Sequence, residues 1–265
     1  MQIKEQQSLL YRLFVLEEEG LAQDIERKIF RLITLPNGTT KNTSPGRLDS
    51  LNAFSLPFLE KIHSAKIKDI AVSSGISSVE WSDQLRKNNC KATITATDLF
   101  ARANLTIYSR KLAVLSDTFY NPLLIEYRNS FYRTSFPTGS LRHYWGKLVS
   151  MLIKRCTPND LKKSHSVMLL SFAFKKSGAI SFIEEDITSK AEKSEMEKYD
   201  VIRAANILNK VYFPENKLRE IIKNIACQIK TGGLLIVCKT DGEGINHAQV
   251  YSKTENAFTS VGKLN

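Results

Sequence analysis

From Leu9 to Leu32 the apolar positions fall on one helical face. Leu9, Leu10, Leu13, Phe14 and Leu16 are followed by Leu21, Ile25, Ile29, Phe30 and Leu32. This spacing predicts helix over roughly residues 3–33, with Gly20 ending the first helix or kinking it. Residues 35–50, LPNGTTKNTSPGRLDS, are rich in turn formers and read as a loop into the main domain. A further helix is expected over 50–63, kinked or restarted at Pro57. Beyond it the period changes. Short apolar or β-branched runs at 67–74, 92–100, 179–187 and 199–208 predict strands, and Gly75 opens a helical stretch after the first. Leu218, Ile221, Ile222, Ile225, Ala226 and Ile229 repeat at helical spacing, and Thr231-Gly232-Gly233 then turns the chain into the buried-strand run LLIVCKT at 234–240. The tail offers two alternating segments suited to an antiparallel edge pair. Strands alternating with helices through short turns predict an α/β fold, a doubly wound and mainly parallel sheet covered on both faces. The expected division is an N-terminal helical segment (1–50) and a main domain (51–265) carrying an insertion at about 101–176.

That insertion breaks the alternation. Residues 105–137 alternate apolar and polar positions around Asn121-Pro122 and read as a β-hairpin rich in aromatic residues, among them Tyr108, Phe119, Tyr127 and Phe131. Residues 141–155 place Leu141, Tyr144, Trp145, Leu148, Val149 and Leu152 on one helical face, with Arg142, His143, Lys147 and Lys154 mostly elsewhere. Residues 166–174 read as a buried strand or hairpin partner. Charge sharpens the picture. The chain carries a formal net charge of +11, and residues 101–176 hold 13 Lys/Arg against Asp117, Glu126 and Asp160. The remaining residues are close to neutral. Such asymmetry fits an acidic partner, an anionic membrane surface reached through 141–155 or, less favoured, a nucleic acid; a solvated solubilising face is the plain alternative. For the helix itself, docking its apolar face on a sheet is the commoner fate.

Composition narrows the function classes. No apolar run approaches the roughly 18 residues of a membrane-spanning helix, and the N-terminus mixes acids and glutamines into its apolar positions, unlike a secretory signal. The four cysteines have no CxxC spacing, so neither a zinc site nor a disulfide framework is indicated. The expected address is the cytoplasm.

The run KIKDIAVSSGISSVEWSDQL resembles the first motif of class I S-adenosylmethionine-dependent methyltransferases: an acid at the end of the first strand, a tight turn of small residues, then a helix. Asp69 takes the acidic place and Gly75 the last glycine, while Ala71 and Ser73 stand where family members usually carry glycine. The resemblance implies further site residues. Asp98, followed by Leu99 at the end of the second strand, would accept from the two ribose hydroxyls of the cofactor. In FIEEDIT, Asp186 would take the adenine amino group and Ile187 would pack on the ring. Arg203 lies in YDVIRAANILNKVYF, which with the following helix and LLIVCKT is similar to the fourth and fifth motifs in order and spacing. The implied core is Rossmann-like, its cofactor S-adenosylmethionine and its reaction methyl transfer to an unidentified acceptor.

No catalytic residue is named. Neither an NPPY-type run nor an obvious cysteine nucleophile is present; His143 and His247 are candidate bases, and Asn206 and Asn209 suit turn or capping roles better than substrate binding. The alternative is a non-catalytic protein on the same fold that engages an acidic partner through the basic insertion. A nicotinamide-dependent oxidoreductase is disfavoured, because no intact GxGxxG follows the first strand. Oligomeric state is not fixed by these patterns, and no metal ligands are proposed.

Overall fold

The computed structural model describes residues 7–18, 21, 23–35, 38–41, 44–134, 151, 164–255 and 257–265. The predicted basic helix at 141–155 therefore lies outside the described residues, apart from Met151. Two compact units divide the chain: Met1–Thr43 with Phe100–Phe172, and Ser44–Leu99 with Ala173–Asn265.

The second unit is built on a seven-stranded sheet. Its strands are β1 (Ala65–Ile70), β2 (Ala92–Asp98), β8 (Ile180–Glu184), β9 (Tyr199–Ala205), β10 (Ile229–Thr240), β11 (Asn246–Lys253) and β12 (Phe258–Leu264), in the order β12-β11-β10-β9-β1-β2-β8. Neighbours from β8 across to β10 are parallel, and β11 and β12 add an antiparallel edge pair. The sheet is thus mixed. Side-chain alternation sends Ile67, Ile94, Val201 and Ile236 to one face, where they pack with Leu51, Leu59, Trp81 and Leu85 of α3 (Asp49–Leu59) and α4 (Ile76–Lys87). The opposite face sends Ile70, Ile202 and Leu235 against Ile221 and Ile225 of α6 (Glu215–Gln228). Pro57 lies inside α3 without ending it. Gly232-Gly233 does not separate helix from strand; it forms an irregularity within β10.

The first unit differs from the expected hairpin. It is a five-stranded antiparallel sheet, order β6-β5-β4-β3-β7, made of β3 (Arg102–Ser109), β4 (Leu112–Ser116), β5 (Pro122–Tyr127), β6 (Ser130–Arg133) and β7 (Ser164–Met168). Pro122 opens β5 and does not occupy a turn; the turn is Asp117–Asn121, closed by the Asp117 side chain accepting from the Phe119 and Asn121 amides. The stretch 166–174 splits between the end of β7 and α5 (Phe172–Ser177), whose first residue belongs to the first unit. Among the described residues the N-terminal helix prediction corresponds to two short helices, α1 (Leu9–Phe14) and α2 (Gln23–Leu32). α1 stops well before Gly20. The apolar stripe of both packs on one face of this sheet, against Ala103, Leu105, Leu115 and Leu124. The N-terminal helices therefore share their core with the insertion, which a division at residue 50 does not anticipate. Buried Glu126 anchors α1 by accepting from the Leu9 and Leu10 amides at 2.8 and 2.9 Å.

Candidate functional site

Parallel strands leave their carboxyl ends along one edge of the sheet, and ligands of such sheets bind where the strand order reverses. Here the chain runs outward from β1 to β2 and β8, then returns to β9 on the other side of β1. The reversal point lies between β1 and β9, within the second unit.

The loop after β1 has an unusual backbone. β1 ends at Ile70, earlier than the 67–74 run suggests, because Ala71 adopts φ +59°, Ser73 φ +60° and Gly75 φ +79°. Three left-handed residues at alternate positions are sterically easy for glycine and costly for the other two. The loop is tied to its neighbour strand: the Val72 amide donates to the Thr97 carbonyl at 3.1 Å, and the Ser73 amide donates to Asp98 Oδ2 at 2.7 Å. Asp98 does not cap a following helix, since β3 begins at Arg102; it braces the loop. At Gly75 a methyl group would lie 2.2 Å from Cδ2 of Phe174, so that position cannot carry a side chain without displacing the Phe174 ring.

Asp69 and Arg203 face away from the sheet edge. They are adjacent in register on β1 and β9 and both are buried. Arg203 forms a bidentate pair, Nε to Oδ1 at 2.9 Å and Nη2 to Oδ2 at 2.5 Å, and donates from Nη1 to Asn52 Oδ1 at 2.7 Å. Ser78 also donates to Asp69, and the Trp81 ring lies 3.9 Å from the guanidinium carbon. The pair is committed to holding α3 and α4 on the sheet. Lys68, next to Asp69 in β1, cannot share this pair because the pleat sends it to the opposite face. There Lys68, also buried, donates to Glu185 (2.8 Å), Gln228 (2.7 Å) and Glu195 (3.3 Å). Burial opposes ionisation of Glu195, but Lys198 and Lys68 outweigh it and hold its pKa below the ordinary glutamate value. This second ion cluster was not foreseen; a lysine inside an apolar parallel strand was its signal.

The remaining candidates stand at the edge itself. Leu99 is exposed, and Ile187 is half-buried against the apolar cluster under α6. Asp186 closes its own turn, Oδ1 accepting from the Thr188 amide at 2.8 Å. Asn206 (φ +63°) follows β9 and ties it to the end of β10 by accepting from the Thr240 amide, whereas Asn209 serves a local turn by accepting from the Val211 amide. His247 pairs with Asp241 at 2.9 Å on the β10–β11 hairpin; His143 lies outside the described residues. Cys238 is buried and its thiol is pushed up to about 11 by desolvation, which removes it as a nucleophile. Among the described residues no group of His, Cys, Asp and Glu could hold a metal ion, and no helix is long and apolar enough to cross a membrane.

The sequence matches no protein-family model and no curated protein. Among solved structures it is similar to the N-methyltransferase NodS from Bradyrhizobium japonicum WM9 in complex with S-adenosyl-L-homocysteine, with 12% identity and a TM-score of 0.37 over 80% of this chain and 72% of that one. It is also similar to the CMeT domain of the citrinin polyketide synthase (14%, TM-score 0.38, 72% of this chain and 34% of that one). A third is an O-methyltransferase family protein from Burkholderia thailandensis (17%, TM-score 0.33, 72% and 40%). The chain spans only about a third of the citrinin synthase domain's chain and 44% of the cyclase SpnF, another such structure. These are partial likenesses at low identity.

Proposed function

We propose that the carboxyl edge of the seven-stranded sheet binds S-adenosylmethionine and that the protein transfers its methyl group to an acceptor still to be identified, on a doubly wound, Rossmann-like methyltransferase core. The observation that carries this reading is the backbone of the loop after β1. Residues 71, 73 and 75 keep a left-handed path although two of them are not glycine. A chain under no constraint there would relax to a turn that alanine and serine adopt without strain.

The residues fit the cofactor in part. The loop backbone and the N-terminus of α4 beside it suit close approach of a ligand. A carboxylate offers about four acceptor sites, so Asp98 can brace Ser73 and still accept from ribose hydroxyls. Beside it Thr97 Oγ1 is buried without a hydrogen-bond partner. Asp186 and Ile187 follow β8, two strands away from β1, where an adenine would be met. Asp69 and Arg203 do not fit a direct contact; their role is to fix the strands that carry the loop. When bound, the cofactor supplies an electrophilic methyl group, and this chain's part is to position the two reactants and exclude water.

Isothermal titration with S-adenosylmethionine and S-adenosylhomocysteine tests this reading. Binding that weakens at least tenfold in Asp98→Ala, with the fold intact by circular dichroism, is expected; no heat with either ligand sinks it. The alternative of a non-catalytic binding protein draws support from the commitment of Asp69 and Arg203 to each other, and predicts the second outcome.

A further inference from the structure

Glu185 is the first residue beyond β8, and it is pinned twice. Its amide donates to the Asp98 carbonyl at 3.1 Å, and its Oε1 accepts from buried Lys68 at 2.8 Å. Lys68 lies in the row Lys68–Thr95–Ser181 across β1, β2 and β8. Glu185 comes after Ser181 by roughly 13 Å along the strand direction. Their ion pair therefore draws the chain leaving β8 back over this face of the sheet.

The turn that follows is closed on itself and tied at its far end. Asp186 accepts from the Thr188 amide through Oδ1 and from the Ser189 amide through its carbonyl. The Ser189 carbonyl in turn accepts from Asn224 Nδ2 of α6 at 3.1 Å. Residues 185–189 are thus clamped to the sheet at one end and to α6 at the other.

Satisfying the buried lysine does not account for Glu185. Without it Lys68 still has the Gln228 side-chain oxygen at 2.7 Å and the Glu195 carboxylate at 3.3 Å. The Glu185 side chain is 26% exposed, yet its Oε2 is buried with no hydrogen-bond partner among the described residues. Leaving a charged acceptor buried and unpaired is unfavourable. What the arrangement gains is position, because it fixes how far Asp186 and Ile187 stand from Asp98.

We infer that Glu185 is a positioning residue for an adenine nucleoside: held by Lys68, it sets the spacing between Asp98 and the Asp186–Ile187 turn. This rests on the cofactor reading above, in which Asp98 meets the ribose and Asp186 the base. Asn224 supports the same turn from its far end.

Amide hydrogen exchange of the unliganded protein reads the clamp, and titration with S-adenosylhomocysteine reads its effect on the site. In Glu185→Ala, exchange at Thr188 and Ser189 should quicken about tenfold, as expected for the loss of one charge-assisted hydrogen bond. Val201 and Ile236, inside the sheet, should keep the parent rates. Affinity for S-adenosylhomocysteine should fall by about the same factor. Glu185→Gln keeps an acceptor for Lys68 and should bring both quantities back to within about threefold of the parent. Asn224→Ala should move both in the same direction as Glu185→Ala, and keeps the test open if that variant does not fold. Parent-like exchange at Thr188 and Ser189 in the folded variants overturns the inference. So does an undiminished affinity despite faster exchange, or a Glu185→Gln as impaired as Glu185→Ala. A parent that gives no heat refutes the cofactor reading and the nucleoside role with it, whereas failure of the clamp alone shows as unchanged exchange in a parent that binds.

Discussion

Ala71 and Gly75 sit four residues apart on the same loop and share a left-handed backbone, yet exchanging their residue types should have opposite effects. Ala71 at φ +59° has the strain of a Cβ crowded against the following carbonyl, about 1–2 kcal/mol. Replacing it with glycine removes that strain and costs about 0.5–1 kcal/mol of extra unfolded-chain entropy. The net expectation for Ala71→Gly is a gain of about 0.5–1 kcal/mol. Gly75→Ala reverses both terms and adds a clash. It acquires the left-handed strain, and its methyl collides with the Phe174 ring, whose nearest carbon would be at 2.2 Å. Overpacking of this kind adds about 1–3 kcal/mol, and the lower entropy of the unfolded alanine chain returns about 0.5–1 kcal/mol, so a loss of about 1.5–4 kcal/mol is expected. Urea melts of variants in a Trp145→Phe background, followed by tryptophan emission, report on this unit, because Trp81 is buried against the same sheet face. The readout is the midpoint at constant slope, since a change in slope would signal a change in the states compared. If Ala71→Gly destabilises the protein, or Gly75→Ala leaves the midpoint unmoved, the loop does not have the conformation on which the proposed cofactor site depends.

Other outcomes follow from the buried ion pairs and the thiols. Arg203→Lys loses the bidentate fork and the stacking on Trp81, and Lys68→Met removes the ammonium that faces Glu185 and leaves Glu195 with the Lys198 ammonium alone; each should cost about 3–5 kcal/mol in a denaturant melt. Glu126→Gln keeps the shape but loses the charge-assisted bonds to the Leu9 and Leu10 amides, a loss of about 1–3 kcal/mol that limited proteolysis of the N-terminal segment should register. Glu195 has a folded-state pKa below its ordinary 4.5, so its contribution is fully present above that value and fades as the pH falls through the lowered one. Melting temperature should therefore drop less steeply below pH 4.5 in Glu195→Gln than in the parent. Iodoacetamide at about pH 8 should label exposed Cys227 and spare Cys238 in the folded protein, as read by peptide mass.

The alternating half of the fold was legible because period-2 and period-3.6 patterns are set by which face is buried, and each parallel strand of the sheet overlaps a predicted run, although β1 begins two residues and β10 five residues before theirs. Strand ends were not, since left-handed turns at Ala71 and Asn206 leave no mark in hydrophobicity. The insertion was harder. Alternation from 105 to 137 is the same for one hairpin or a four-strand meander, and only tertiary pairing across more than fifty residues brings β7 beside β3. Among the candidate site residues, Asp98 and Ser73 prove to be hydrogen-bonded to each other. Asp69 and Arg203 instead close a buried pair. Their signal was present: opposite charges in mostly apolar buried strands need one another.

Glu126 holds the first turn of α1 across a separation of 117 residues, and each compact unit is stitched from two distant stretches of chain. During synthesis at roughly 5–20 residues per second, the apolar stripe of α1 and α2 waits on the order of ten seconds for β5 to emerge. The second unit waits longer, its first strands being made well before β9 and β10. Neither unit can close as a local event. The newborn chain therefore passes through a long interval with two unsatisfied apolar surfaces, and its yield in a cell should depend on holdase chaperones more than its finished stability would suggest.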